Sequence, residues 1–439
     1  MPSDHPPHAP TATAVLDAVD FFHDPALVAD PYPVLERMRS ASPVLREPRR
    51  DVWIVTGYEE AQAVLGDPES FSSCNSVTGP TPGFPVPLQG LAEPQVRQLV
   101  EAHRADLPFS DQLPSFDPPT HTAHRSLLAR LITPKRLKEN EEFMWRLVDQ
   151  VLAPYLADGG GEFIGQVANP VALMVIADLL GVPEEDRAEL TAQLTGDLSL
   201  GSTGDDVMSH TPLEYLYARF TDYISDRRRT PRGDVMTEMA HATFPDGSTP
   251  EVIDVVRVAS NLFSAGQETT VRLLSSALKI LGEKAELQDE LRRHPERIPN
   301  FAEEALRYES PIRGDFRLAR ADTTVGGVEI PAGAVVMVHY GAANRDPRQF
   351  DEPDVFDPDR ANARRHIAFG RGIHSCIGAP LARAEAKVLI RRLLERTEAI
   401  RIDETVHGPA GARRYDYVPT YILRGLTDLH LRVTAEVPA

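Results

Sequence analysis

The 439-residue chain has only two cysteines, Cys74 and Cys376. So few thiols exclude a disulfide-stapled scaffold and a cysteine-rich zinc module. Long apolar runs are missing too. No stretch comes near the ~18 consecutive apolar residues of a membrane span, and the greasiest run, Val171 to Val182, is broken by Asp178. Basic charge is in deficit: 46 Lys and Arg against 65 Asp and Glu leave a formal charge of −19. That balance argues against nucleic acid or an anionic membrane as the main partner. The opening MPSDHPPHAPTATA has neither the basic nor the apolar region of a secretory signal. No Gly-x-Gly-x-x-Gly marks a strand–helix turn for a flavin or nicotinamide. The expectation is a soluble, cytoplasmic protein.

What is present is ordinary globular composition, 42% apolar and 25% charged, which excludes wholesale disorder and a fibrous repeat. Residues 1–14 are Pro/His/Ala-rich and expected to form a flexible tail. Helical periodicity predicts helices near 27–39, 93–104, 120–131, 138–157, 162–180, 184–196, 212–229, 250–282 and 299–308, with a last long helix from Gly378. Strands are predicted at 51–56 and 335–339, with a hairpin turning at Gly326-Gly327. The longest helix has Thr249 as expected N-cap and Pro250 at N1; at ~1.5 Å per residue it spans on the order of 50 Å, enough to cross a large domain. Two irregular segments stand out, 72–116 and 197–211. With no repeat and no linker, the reading is one large domain over 15–439, mainly α with minor β, around a long central helix.

Cys376 sits in Phe369-Gly-Arg-Gly-Ile-His-Ser-Cys-Ile-Gly, directly before a helix. Unpaired N–H groups and a partial positive charge at a helix start favour a thiolate. Gly370, Gly372 and Gly378 clear space for backbone or a flat ligand. A lone cysteine also fits a plain core thiol. The pattern F-G-x-G-x-H-x-C-x-G resembles the haem-binding loop of the cytochrome P450 family. That resemblance implies the P450 fold, haem b (iron protoporphyrin IX), and Cys376 as proximal iron ligand, with Phe369, Gly370, His374 and Gly378 around it. A thiolate ligand favours O–O cleavage, and N–H groups near the sulfur tune it.

Three more motifs follow in the family's order, so the resemblance spans about residues 20 to 435. Ala265-Gly-Gln-Glu-Thr-Thr is similar to its acid–alcohol motif. The resemblance implies that Ala265 lies against the haem and that Gly266 bares the helix so that O₂ fits. It also implies that Thr269 hydrogen-bonds the bound oxygen and that Glu268 relays protons. Taken alone, a mid-helix glycine costs ~1 kcal/mol relative to alanine and reads as well as a packing kink beside an exposed glutamate. Glu304-Ala-Leu-Arg307 shares one helix face and is similar to the family's E-x-x-R, which implies a buried structural network with Arg360. Asp117-Pro-Pro-Thr-His121-Thr-Ala-His-Arg125 resembles the segment whose His and Arg hold a haem propionate; His374 and Arg317 would supply the other contacts. A zinc reading of His121 and His124 finds no accompanying ligand set.

By the same resemblance, 72–116 is a lid over the substrate. Val77, Phe84, Val86 and Leu88 could line the pocket, with Asn261 and Leu262 from the long helix and Ile312 and Arg313 after the E-x-x-R segment. Arg313 could pair with a substrate carboxylate, reach a propionate or face solvent. Between Arg360 and Arg392, eight Lys or Arg stand against the single Glu385. This basic run is either a solvated helix face or a docking patch for a ferredoxin-type donor. The donor would carry electrons that come ultimately from NAD(P)H. The implied activity is a haem-thiolate monooxygenase inserting one atom of O₂ into a small organic substrate, by hydroxylation first of all. Epoxidation or oxidative C–C coupling on the same scaffold stays open. So does a haem-based sensor or carrier, which would use Cys376 without needing Glu268 and Thr269.

Overall fold

The computed structural model describes Leu16 and residues 19–81, 83–129, 131–194 and 211–435. The expected tail at 1–14 and the loop at 197–210 lie outside these residues. The longer helices are α1 (Tyr32–Ala41), α2 (Tyr58–Gly66), α3 (Glu93–His103), α4 (Thr120–Ala129), α5 (Pro134–Ala157), α6 (Asn169–Leu180), α7 (Glu184–Leu194), α8 (Thr211–Arg229), α9 (Val252–Glu283), α10 (Ala285–Arg293), α11 (Ile298–Tyr308) and α12 (Ala379–Arg396). Their ends follow local chemistry. Thr133 caps α5 by accepting from the Arg136 N–H at 3.3 Å, with Pro134 in the first turn, so α5 starts earlier than its apolar period alone implies. The central helix α9 is capped at Glu251 and not at Thr249: the Glu251 N–H donates to Asp254 Oδ2 at 3.1 Å.

The single helix expected at 162–180 is divided. Residues Gly160–Glu162 form strand β4, and a π-helical turn, Ile164–Ala168, leads into α6. The Glu162 carboxylate takes the Ile164 and Gly165 N–H groups at 2.9 and 2.5 Å, ending the strand. Gly160 has φ 107° and passes so close to Leu431 that any side chain would overlap that residue's carbonyl oxygen; only glycine permits this pairing.

Helix α9 crosses the larger core, packed against α6, α8 and α12. Leu273, Leu274, Ala277, Leu278 and Leu281 are fully buried along it, and truncating one such leucine costs roughly 2–5 kcal/mol. The remaining strands are β1 (Val44–Glu47), β2 (Val52–Val55), β3 (Phe71–Ser72), β5 (Asp315–Ala319), β6 (Thr323–Val325), β7 (Val328–Ile330), β8 (Val335–Val338), β9 (Thr397–Ile402) and β10 (His430–Ala435). They make a five-stranded sheet in the order β1-β2-β8-β5-β3, a three-stranded sheet β4-β10-β9 and the hairpin β6-β7. In the large sheet only the β2–β8 pair is parallel. This sheet brings two pieces of the site together: β3 enters the 72–116 segment and β5 carries Arg317.

Both ends of the 72–116 segment are fastened to one carboxylate. Asp117 accepts from Ser72 Oγ at 2.5 Å, from the Ser73 N–H at 2.9 Å, and from Arg104 and Arg320. The segment also has a core of its own. Helix α3 must cover Val96 and Val100, and Phe84, Val86 and Leu88 pack there with Cys74, Leu318 and Ala332.

Candidate functional site

Cys376 lies between the 3₁₀ turn Gly372–His374 and the start of α12. The loop is shaped by backbone hydrogen bonds, with the Cys376 N–H donating to Phe369 O at 2.8 Å. Gly370 and Gly372 have φ 66° and 70°, and a side chain at Gly372 would overlap Leu65 O. The thiol is accessible on one side and enclosed by protein on the others. Burial raises its pKa, and that effect outweighs the N–H groups of Gly378 and Ala379 and the guanidinium groups of Arg125 and Arg383. The helix start therefore assists deprotonation without achieving it; binding to a metal ion would. Helix α9 is buried or half-buried from Val252 to Gly282 except at Ala265, which is exposed.

Beside the thiol loop stand His121 and Arg125 of α4, His374, and Arg317 of β5. His121 is 2% exposed, and neither of its ring nitrogens has a hydrogen-bond partner; His374 Nε2 is likewise buried and unpartnered. The two rings lie 4.2 Å apart. Burial, then Arg125, lowers the His121 pKa to about 4; burial, then Arg317 and His121, lowers that of His374 to about 3. Arg125 Nη2 donates to Ser375 O at 2.6 Å, tying α4 to the cysteine loop. Arg317 donates to Phe316 O at 2.7 Å and pairs with Asp315 Oδ2 at 2.9 Å. A buried polar group left unpaired costs about 1–3 kcal/mol, so three orphaned nitrogens beside two guanidinium groups call for an anionic ligand. Paired carboxylates on a flat apolar macrocycle satisfy that demand, and the residues present fit a haem.

On α9, Thr269 Oγ1 donates to Ala265 O at 2.8 Å, while Glu268 pairs with Arg272 one turn onward. A Cβ built at Gly266 would lie 3.3 Å from Ile176 Cδ1 of α6, so its bare side lets the two helices pack closely.

Glu304, Arg307 and Arg360 meet in one buried network. Arg307 donates to Glu304 through Nε and Nη2, both at 2.7 Å, and Arg360 Nε reaches the same carboxylate at 3.1 Å. Arg307 also holds the carbonyls of Asn344, Pro353 and Val355, which fixes the course of the loop before the cysteine. Sequence reasoning missed the neighbouring Glu303. It is 1% exposed, accepts from Arg383 Nε at 2.6 Å and meets His366 Nε2 at 3.0 Å. Arg383 in turn lies over the Phe369 ring, 4.7 Å from its centroid. Consecutive acids on a short helix facing a basic loop were the available signal.

Several expected pocket residues lie elsewhere. Phe84, Val86 and Leu88 belong to the small core under α3, while Val77 and Leu262 pack with the large helical core. Ile312 bridges to Leu423 at the edge of the sheet. Arg313 is buried, donating to Leu27 O at 2.5 Å and Thr420 O at 3.1 Å. Carbonyl groups of two chain segments take its two terminal nitrogens, and only the buried Nε is left without a partner, so its terminal groups are committed within the protein and not to a substrate. His124 turns from His121 toward Thr120 O, at 2.9 Å, and Asp254 Oδ1, at 3.4 Å. The basic run is also largely spoken for: Arg360 by Glu304, Arg383 by Glu303, Lys387 by Glu141, Arg391 by Glu395 and Arg392 by Asp149. Arg364, Arg365 and Arg371 remain exposed, with Arg364 Nε 3.5 Å from Glu303 Oε1.

An exposed cysteine beside buried, unpartnered histidines and two guanidinium groups, in a mainly helical domain crossed by one long helix, fits a haem protein. The comparisons with known proteins narrow the class. Residues 220–405 match the family model described as Cytochrome P450. Cytochrome P450 144 of Mycobacterium tuberculosis is 35% identical, over 97% of this chain and 94% of its own length. The cytochrome P450 monooxygenase PikC of Streptomyces venezuelae is 32% identical over 92% and 91%. The substrate-free structure of Mycobacterium marinum cytochrome P450 CYP150A6 superposes with a TM-score of 0.90, at 52% identity, over 96% of this chain and all of that one. The chain belongs to the cytochrome P450 family. It is a haem-thiolate monooxygenase, an oxidoreductase that incorporates oxygen. Among the described residues no helix is long and apolar enough to cross a membrane.

Proposed function

We propose that Cys376 is the proximal ligand of haem b and that the enzyme hydroxylates a small organic substrate, one oxygen atom coming from O₂. The observation that carries the reading is the trio of unpartnered nitrogens on His121 and His374, which with Arg125 and Arg317 would take the two propionates. Bound haem supplies the one-electron and O₂ chemistry. The protein supplies the rest. Gly378 and Ala379 direct N–H groups at the sulfur and temper its electron donation. Phe369 and Gly370 shape the cysteine loop, and Glu304, Arg307 and Arg360 hold that loop in place. Thr269 would present its hydroxyl toward the reaction site, and Glu268 would move protons from solvent toward it. Ala265 and Asn261 form the helix wall of the substrate pocket, with the 72–116 segment as its lid.

Electrons come from NAD(P)H through a separate ferredoxin-type donor, for which Arg364, Arg365 and Arg371 offer a compact basic docking face. A cytoplasmic location fits the two free thiols. A sensor or carrier would have no use for Glu268 beside Thr269, which favours turnover.

The test is the visible spectrum of the reduced protein under carbon monoxide. The wild type should give the long-wavelength band of a thiolate-ligated haem, and Cys376→Ser should lose it. An unchanged band in the serine variant would overturn the assignment. Glu268→Gln should slow reductase-driven NADPH oxidation in an oxygenase, and it should leave ligand binding alone in a carrier.

A further inference from the structure

Glu268 and Thr269 reach in opposite directions along α9. The Thr269 hydroxyl folds back one turn to Ala265 O at 2.8 Å, whereas the Glu268 carboxylate extends one turn forward to Arg272. Arg272 is 5% exposed, and its Nε has no partner. A guanidinium so deep in protein needs a counter-charge, and Glu268 provides it. The C-terminal segment fixes the arginine from the far side. A Cβ at Gly425 would lie 2.6 Å from Arg272 Cγ and 2.7 Å from Nη1, so glycine there lets the arginine run alongside. The contact involves Cγ, near the root of the side chain, so a larger residue would displace the whole arginine and not merely its tip.

We propose that Arg272 is a positioning residue for proton delivery, holding the Glu268 carboxylate turned away from Thr269 until it takes a proton, with Gly425 as the seat of Arg272. An opposite charge in contact favours the ionised carboxylate, and an ionised carboxylate accepts a proton from solvent before it can donate one. Neutralised, Glu268 loses its attraction to Arg272 and is released toward the hydroxyl side. The idea rests on reading Glu268 as the relay, and the experiment separates the two.

Because the substrate is unidentified, O₂ itself is the probe. Substrate-free NADPH oxidation is driven by a plant-type ferredoxin and its reductase, in H₂O and in D₂O. Electrons leave either as hydrogen peroxide, from O₂, NADPH and one proton, or as two waters, from O₂, two NADPH and two protons. Glu268→Gln should slow oxidation on the order of 100-fold and enlarge the solvent isotope effect. Arg272→Met should slow it about tenfold, since the acid remains but is misplaced. Arg272→Lys should recover most of that loss, and Gly425→Ala should reproduce it in part. The double variant Glu268→Gln/Arg272→Met should match Glu268→Gln alone, as coupled residues do. Thermal unfolding and the carbon monoxide spectrum report folding, and if Arg272→Met does not fold, Gly425→Ala carries the test. A slow Glu268→Gln beside wild-type rates in folded Arg272→Met or Gly425→Ala sinks the positioning role, as do additive effects in the double variant. Wild-type rates and isotope effect in Glu268→Gln sink the relay reading itself, and the role of Arg272 with it.

Discussion

The imidazole rings of His121 and His374 lie 4.2 Å apart, one from α4 and one from the cysteine loop. They share an environment that keeps both neutral, because burial and then the cations Arg125 and Arg317 disfavour the protonated rings. Nothing in the described protein accepts a hydrogen bond from His121 or from His374 Nε2. Two buried histidines are placed to donate to something the polypeptide does not provide.

A pH dependence follows. Burial and neighbouring cations lower the folded-state pKa values to about 4 and about 3, from an ordinary 6.5. Below the ordinary value the unfolded chain binds protons that the folded apoprotein refuses, so stability falls as pH drops from about 6.5 toward 4. Denaturant unfolding of haem-free protein should show this slope. His121→Gln with His374→Gln should flatten it. Haem-loaded protein should resist acid better over the same window, because carboxylates beside the rings favour the protonated form. A wild-type slope in the double variant would remove the histidines from the explanation.

Gly266 makes a second prediction, because its bare face meets Ile176. Alanine gains about 1 kcal/mol of helix propensity over glycine. The new Cβ would sit 3.3 Å from Ile176 Cδ1, tight enough to offset part of that gain. Gly266→Ala should stay within ~1 kcal/mol of wild type, and should become stabilising by about 1 kcal/mol when Ile176→Val makes room. Thermal unfolding of the two variants measures this. Equal effects of Gly266→Ala in both backgrounds would mean that Ile176 is not what the glycine accommodates.

The long helices were legible because each must bury one face, and a 3.6-residue period survives any tertiary arrangement. The cysteine loop was legible because its glycines and aromatic stand at fixed short spacing. Other parts depend on distant residues. Strand β5, only Asp315–Ala319, takes its identity from pairing with β3 and β8, and nothing within five residues announces that. Phe84, Val86 and Leu88 looked like pocket lining because an apolar residue in a loop says only that it will be covered. Helix α3, not a substrate, covers them. Arg313 misled for a similar reason: its partners are carbonyls of Leu27 and Thr420, which no local pattern reveals.

Glu303 was passed over in the sequence beside Glu304, and it carries its own consequence. His366 and Arg383 outweigh the effect of burial and hold its pKa at about 2, from an ordinary 4.5. A lowered carboxylate contributes stability above pH 4.5 and loses it as pH falls toward 2. Glu303→Gln should therefore destabilise the protein at neutral pH by roughly 3–5 kcal/mol, the cost of breaking a buried pair, and the deficit should shrink in acid. It should also free Arg383 from its place over Phe369 and make haem loss faster. Acid titration of stability for both proteins checks the first effect, and haem transfer to an excess of apomyoglobin checks the second.

The basic face under the cysteine loop is smaller than the run of charges in the sequence, and the difference can be measured. Arg391 and Arg392 spend their charge on Glu395 and Asp149, whereas Arg365 and Arg371 are exposed and Arg364, 71% exposed, only shares Glu303 with Arg383 and His366. Against an overall charge of −19, steering of an acidic donor must come from these few. Reversal at Arg364 or Arg371 to Glu should slow ferredoxin-driven reduction about tenfold at low salt. The difference should close as ionic strength approaches 1 M, where the screening length is about 3 Å. Reversal at Arg391, whose charge is already matched, should do much less. Stopped-flow reduction across a salt series distinguishes the cases: if all three variants fall equally, the whole run acts as one diffuse field, and if none falls, the donor docks elsewhere.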